Sequence, residues 1–97
     1  MAIWGKLKAE LDRAGAAAQH ALDEGKVRLE LHRTRQAMDR AAQEFGLAMY
    51  RALKEQRDLT GEQIADHMRR IGEQETEVRR LEEQLAAAGA RRTGDTR

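Results

Sequence analysis

The sequence predicts an all-α protein: an antiparallel coiled-coil helical hairpin, preceded by an N-terminal amphipathic helix and associating into a helical bundle. Three observations predict this class. The 97 residues include no Pro and one each of Trp, Tyr and Phe, and 36% are charged, a composition typical of long exposed helices. Two segments repeat apolar residues at alternating intervals of four and three. A helix-capping signal stands between those segments, so a short turn joins them.

The two arms of the hairpin are predicted at residues 26–57 and 61–88. The seam of the first arm consists of Val27, Leu31, Thr34, Met38, Ala41, Phe45, Ala48 and Ala52. The seam of the second arm consists of Ile64, His67, Ile71, Gln74, Val78, Leu81 and Leu85. The first arm carries eight basic and four acidic side chains, whereas residues 59–90 carry four basic and seven acidic ones. Opposite net charges suit two helices that lie side by side.

The stretch RDLTGEQI between the arms has the signals of a helix start. Thr60 is the predicted N-cap, and Gln63 stands three residues later, where it completes a capping box. Leu59 precedes the cap and Ile64 follows it, at the spacing of a hydrophobic staple. We therefore predict that the second arm begins immediately after Thr60.

A separate N-terminal helix is predicted at residues 2–23. Its apolar stripe consists of Trp4, Leu7, Leu11, Ala14, Ala18 and Leu22. The step of five from Leu22 to Val27 breaks the alternation of fours and threes, and Gly25 lies within it. Glycine weakens a helix and often ends one. We predict a turn at Gly25; the alternative is one continuous helix.

The three helices are predicted to form a single domain over residues 1–90. Gly89 follows LAAA and is the predicted helix stop, and residues 91–97 are predicted to be a disordered tail. Much of the hydrophobic fraction of 40% is alanine, which leaves few large side chains for a core. Since ordering costs about 1.5 kcal/mol per residue, such a chain is expected to self-associate or to bind a partner.

The stretch FGLAMYRAL is apolar on nearly every face of its helix, so it needs more cover than one hairpin arm provides. If the chain turns at Gly25, Trp4 falls level with Gly46, Leu47 and Tyr50, either within one chain or between two. Gly46 would then leave room for the indole ring. The predicted helix-docking or oligomer interface comprises Trp4, Leu7, Leu11, Phe45, Gly46, Leu47, Met49, Tyr50 and Leu53.

No constellation of residues indicates catalysis. The histidines at positions 20, 32 and 67 are never paired at metal-binding spacing, and the absence of Cys excludes thiolate ligands and thiol nucleophiles. No glycine-rich phosphate loop is present, and no carboxylate stands in the apolar context that would raise its pKa. We expect no enzymatic activity, no cofactor and no metal site.

Two binding functions compete with self-association. The apolar face of the first helix, with Lys6 and Lys8 beside it, resembles an amphipathic helix that lies on an anionic membrane surface, although Glu10 dilutes the basic side. Residues 26–40 form a basic arm that can track phosphates of nucleic acid, but no exposed aromatic residues alternate with the basic ones. No apolar run is long enough for a membrane span, so we expect a cytoplasmic protein, with the inner face of the membrane as the alternative location.

Two family resemblances accompany these patterns. The run KVRLELHRTRQAMDRAAQEFGLAMYRAL is similar to helical hairpins of small bacterial proteins of unknown role, some of them joined to zinc ribbons; here Phe45, Gly46 and Tyr50 match, and the ribbon is missing. The opening MAIWGKLK resembles the N-terminal helix of phage shock protein A relatives. The second resemblance implies contact with membranes and assembly through long helical hairpins.

The sequence therefore predicts a non-enzymatic, self-associating coiled-coil scaffold or adaptor. Its expected partners are a second copy of the chain, as a dimer or higher oligomer, or another helical protein. A peripheral membrane protein anchored by the first helix is the first alternative, and nucleic-acid binding through residues 26–40 is the second.

Overall fold

The chain folds into two long helices. The computed structural model describes the backbone of residues 2–95 and the side chains of residues 3–91. Helix α1 spans Ala2–Lys54 and helix α2 spans Gly61–Asp95. The two helices pack against each other along α2, with Phe45 beside His67 near the turn and Leu31 beside Leu81 farther away. The predicted all-α helical hairpin is confirmed.

The core is a narrow seam between the helices. Leu31, Ala52, Val78 and Leu81 are its buried apolar residues. The following seam positions are half-buried: Val27, Met38, Ala41, Phe45, Ala48, Ile64, His67, Ile71, Gln74 and Leu85. Thr34 is buried among them, and its hydroxyl group donates a hydrogen bond of 2.8 Å to the carbonyl oxygen of Glu30. One polar seam residue is thus satisfied within its own helix.

The predicted turn at Gly25 is wrong, because α1 continues through this residue without a break. A glycine inside a helix costs only about 1 kcal/mol relative to alanine, and no proline removes a backbone donor nearby. Glu24 and Arg28 span the glycine with an ion pair of 3.4 Å, at the i, i+4 spacing that supports a helix. The separate helix predicted at residues 2–23 is therefore the first part of α1.

The far end of α2 also differs from the prediction. The helix passes Gly89 and reaches Asp95, so residues 91–95 of the predicted disordered tail are helical, and residues 96–97 lie outside the described range. The Gly89 backbone remains helical because nothing forces the left-handed conformation that ends a helix.

The first arm ends earlier than predicted, at Lys54 instead of residue 57. The amide of Gln56 donates to the carbonyl of Leu53 at 3.1 Å, and the amide of Arg57 donates to the carbonyl of Ala52 at 2.9 Å. These bonds form a Schellman motif, in which the residue after the cap takes a left-handed conformation. That residue is Gln56, with a φ of 57°.

The start of α2 contains a reciprocal capping box. The amide of Gln63 donates to the Thr60 hydroxyl oxygen at 3.0 Å, and the amide of Thr60 donates to the Gln63 side-chain oxygen at 2.9 Å. Leu59, just before the cap, is half-buried. The Schellman motif at the end of α1 and the capping box at the start of α2 thus reverse the chain within six residues, 55–60.

The unequal helix lengths make the molecule long and thin. Since Leu31 lies level with Leu81 and Val27 with Leu85, the end of α2 falls level with about residue 17 of α1. Residues 2–16 therefore extend beyond α2. The molecule measures 82 × 19 × 17 Å, and its radius of gyration is 22.6 Å. A compact chain of this length has a radius of gyration of about 12.5 Å.

Candidate self-association surface

Most of the exposed large apolar side chains lie on one face of α1, which we call the outer face. Nine of the eleven such side chains belong to it: Ile3, Trp4, Leu7, Leu11, Leu22, Leu29, Leu47, Tyr50 and Leu53. At 100° per residue they fall within about 140° of the helix circumference. The seam residues that contact α2 lie on the opposite side of the same helix. Helix α1 therefore has two apolar faces, and α2 covers only one of them.

Leu22 shows directly that α2 does not reach the outer face. Leu22 lies at a level of α1 where α2 is present, yet 60% of its surface is exposed. Glu24, two residues later, points toward the seam and is 8% exposed. An open groove between the helices at this level is lined by small residues such as Ala17, Ala21 and Ala88. Whatever covers the outer face must approach from the side away from α2.

The outer face is apolar at both ends and more polar in the middle. Ile3 and Trp4, at the first end, are 78% and 74% exposed. Tyr50 and Leu53, at the second end, are 60% and 70% exposed. Between them the face carries Leu22 and Leu29 together with the polar residues His32, Gln36, Arg40 and Gln43, all exposed. The strongest hydrophobic driving force for association therefore lies at the two ends of α1.

The first of these ends has no helical neighbour within the described residues. Residues 2–16 project about 22 Å beyond α2, at 1.5 Å per residue. Isolated helices shorter than about 12–15 residues are marginal in water, because helix stability comes mostly from the packing of an amphipathic face. The apolar face of the projecting segment is therefore not packed against α2 within the described residues.

The accessible surface of the chain is unusually large. It is 8124 Å², whereas a compact monomer of 11.0 kDa exposes about 5,600 Å². The difference of about 2,500 Å² exceeds the roughly 800 Å² that each partner contributes to a standard protein interface.

The structure separates the residues that were predicted to form one interface. Trp4 does not pack over Gly46, Leu47 and Tyr50 of the same chain, because the straight helix puts about 63 Å between residues 4 and 46. No atom lies within 4 Å of the position that a Cβ at Gly46 would occupy. Phe45 belongs to the seam, where its ring stacks on His67 with 5.1 Å between centroids and 9° between planes.

The remaining predicted interface residues lie at the surface. Leu7, Leu11, Leu47, Tyr50 and Leu53 share the outer face, while Met49, which is 41% exposed, lies beside the seam. The predicted interface did not include Leu29, because a break in the helix was predicted at Gly25. Leu29 lies on the same face as Leu22 only when the helix is unbroken.

Ion pairs across the seam are few. The guanidinium of Arg35 lies 3.9 Å from the Glu82 carboxylate, and that of Arg70 lies 3.8 Å from Glu44. Arg28 of the basic arm pairs with Glu24, so two of its basic residues already have acidic neighbours. The two pairs across the seam are solvent-exposed and contribute little to stability.

Other ion pairs lie within α2 itself. A hydrogen bond from the Arg69 guanidinium, assisted by the charge of Arg70, lowers the pKa of Asp66. A hydrogen bond from Arg80 likewise lowers the pKa of Glu77. Pairs at i, i+3 and i, i+4 spacing support the exposed side of the helix only weakly, because water screens them.

The described residues contain neither a candidate metal site nor a candidate membrane span. Between residues 2 and 95 no group of three or more His, Cys, Asp or Glu side chains is placed to hold a metal ion. Neither helix, over the same range, has an apolar stretch long enough to cross a bilayer. No protein-family model matches the chain, and no curated protein or solved structure resembles it at a significant level.

Proposed function

We propose that this protein is a non-enzymatic, self-associating coiled-coil scaffold or adaptor whose association surface is the outer face of α1. One observation carries the proposal: nine large apolar side chains lie exposed on a single face of a helix whose opposite face is already occupied. Contiguous exposed apolar surface of this kind marks sites of association.

The physical reason is that the single chain leaves large apolar side chains in water, and burying them in an interface would lower the free energy. Each large apolar side chain contributes about 1.5–3 kcal/mol when it passes from water into a packed interface. Among the described residues, four apolar side chains of the hairpin are buried: Leu31, Ala52, Val78 and Leu81. Association through the outer face would therefore add substantially to the apolar surface that the seam buries.

Replacing Leu47 and Tyr50 together with Asp tests the proposal. Two charges on the outer face should prevent burial of that face, so we expect the variant to have a mass close to 11.0 kDa while the wild-type protein has a multiple of that mass. The measurement is light scattering coupled to size-exclusion chromatography. Met68→Asp is the matched control, because Met68 is an exposed apolar residue of α2 that lies away from the outer face.

Three outcomes decide this test. The expected result is dissociation by the double variant alone. A wild-type protein that is monomeric at every concentration would contradict self-association. Equal loss of mass in the double variant and in Met68→Asp would show that the association surface is not confined to the outer face.

A second candidate function is favoured by the position of Trp4. Ile3, Trp4, Leu7 and Leu11 are exposed on the segment that projects beyond α2, with Lys6 and Lys8 nearby. This arrangement suits a helix that lies in the headgroup region of an anionic membrane. The outer face continues to Leu53, however, far beyond what such a short anchor needs.

The fluorescence of Trp4, the single tryptophan, separates the two candidates. The scaffold proposal predicts blue-shifted emission in buffer that does not change when vesicles with anionic headgroups are added. Emission typical of water exposure that shifts to the blue only with vesicles would instead favour the membrane-surface function. Vesicles of zwitterionic lipid are the control for the charge dependence.

A further inference from the structure

We propose that the outer face is covered by a second copy of the chain, with the two α1 helices antiparallel and related by a two-fold axis near residue 27. The inference rests on the proposed self-association and goes further, because it names the partner, its direction and the register. A two-fold interface brings the same surface of each copy together, so the face must be complementary to itself.

A face of a continuous helix recurs in steps of three and four residues in either direction, so an antiparallel copy can match it position by position. We place the two-fold axis near residue 27 because this register brings the most exposed apolar side chains of the outer face together. Trp4 then meets Tyr50 of the second copy, and Leu7 meets its Leu47.

This register joins the two apolar ends of the outer face. Ile3 and Trp4 of one copy come together with Tyr50 and Leu53 of the second copy, side chains that are at least 60% exposed in the single chain. The two-fold axis creates the same cluster at the other end. The segment that projects beyond α2 is thereby covered.

The distribution of charge favours the antiparallel direction. Residues 14–22 contain no Lys, Arg, Asp or Glu, whereas residues 32–40 have a net positive charge: Arg33, Arg40 and Asp39 lie there, and Arg35 is directed toward Glu82 of α2. The antiparallel register places these two stretches opposite each other, so that the arginine stems lie on small alanine side chains. A parallel pair would instead place the basic stretch of one copy against the basic stretch of the other.

Two further features agree with this direction. Lys8, which borders the outer face, comes beside Glu44 of the second copy, an oppositely charged residue. Only Lys26 and Arg28, close to the two-fold axis, face their own counterparts, and Arg28 already pairs with Glu24. Helix α2 lies on the opposite side of α1 and does not obstruct the approach.

Introduced cysteines test the direction and the register, because the chain has none of its own. Three variants are treated with a short linker that joins two thiols: Lys26→Cys, Lys8→Cys, and the double variant Lys8→Cys with Glu44→Cys. All three replaced side chains are exposed, and circular dichroism checks that each variant is folded.

The antiparallel register predicts a different result for each variant. Lys26→Cys should be cross-linked to a dimer, since the two thiols lie on either side of the axis. Lys8→Cys alone should not, because the two copies of residue 8 lie about 57 Å apart along the helix pair. The double variant should be cross-linked again, through residue 8 of one copy and residue 44 of the other.

The outcomes separate this inference from the proposed function. Cross-linking of Lys8→Cys alone, as efficient as that of Lys26→Cys, would overturn the antiparallel direction. A multiple of the monomer mass without cross-linking of Lys26→Cys or the double variant would overturn the register and leave self-association standing. A monomeric mass for the untreated protein would overturn both.

Discussion

At the scale of single residues, Gln56 is the residue whose backbone conformation suits its side chain least. Its φ of 57° is in the left-handed region, which costs most residues about 1–2 kcal/mol and costs glycine nothing. The Schellman motif requires this conformation at the residue after the cap, where glycine is the usual choice. The glycines of the chain stand elsewhere, and none of those in the described residues has a positive φ.

Gln56→Gly should therefore stabilise the protein. We expect a gain of about 1 kcal/mol in the free energy of unfolding, the relief of backbone strain less the extra entropy of glycine in the unfolded chain. Urea denaturation followed by circular dichroism measures it. Gln84→Gly, at an exposed position inside α2, is the matched control and should lose up to ~1 kcal/mol. A loss at both positions would contradict the role given to the left-handed residue.

At the scale of the elements, the turn was more predictable than the continuity of α1. The capping box depends on Thr60 and Gln63 alone, three residues apart, so its chemistry can be read from a short stretch of sequence. The seams follow from a period that persists over many residues, which is why the helical hairpin was also predictable.

The continuity at Gly25 depends on a balance that sequence alone does not decide. The local cost of glycine in a helix is about 1 kcal/mol, and packing on either side of it can outweigh that cost. In the folded protein the seam extends past the glycine to Glu24, whose side chain is buried and paired with Arg28. A change of helix face between Leu22 and Val27 was therefore mistaken for a change of direction.

The candidate site was predictable only in part for the same reason. Trp4, Leu47 and Tyr50 could be singled out because they are large apolar residues outside the hairpin seam. That they share one face with Leu22 and Leu29 follows only once α1 is known to be a single helix. That the two apolar ends of this face can meet in an antiparallel pair likewise follows only from the full length of α1.

At the scale of the whole molecule, shape and stability are linked. A hairpin 82 Å long and 19 Å wide has a small core relative to its surface, and residues 2–16 extend beyond the level at which α2 ends. Single chains with so little core are marginally stable. If the outer face is covered by a second copy, folding and association stabilise each other, and the stability depends on protein concentration.

The melting temperature of the wild-type protein should therefore rise with its concentration. A tenfold increase favours a dimer by about 1.4 kcal/mol, which corresponds to about 3–6 °C for a folded unit the size of two chains. Circular dichroism over a hundredfold range of concentration measures the shift. The variant in which Leu47 and Tyr50 are both Asp is the control, and it should melt at a lower temperature that is the same at every concentration, because a monomer unfolds without dissociating. A concentration-independent melting temperature for the wild-type protein would show that the hairpin is stable alone and that the outer face contributes nothing to its folding.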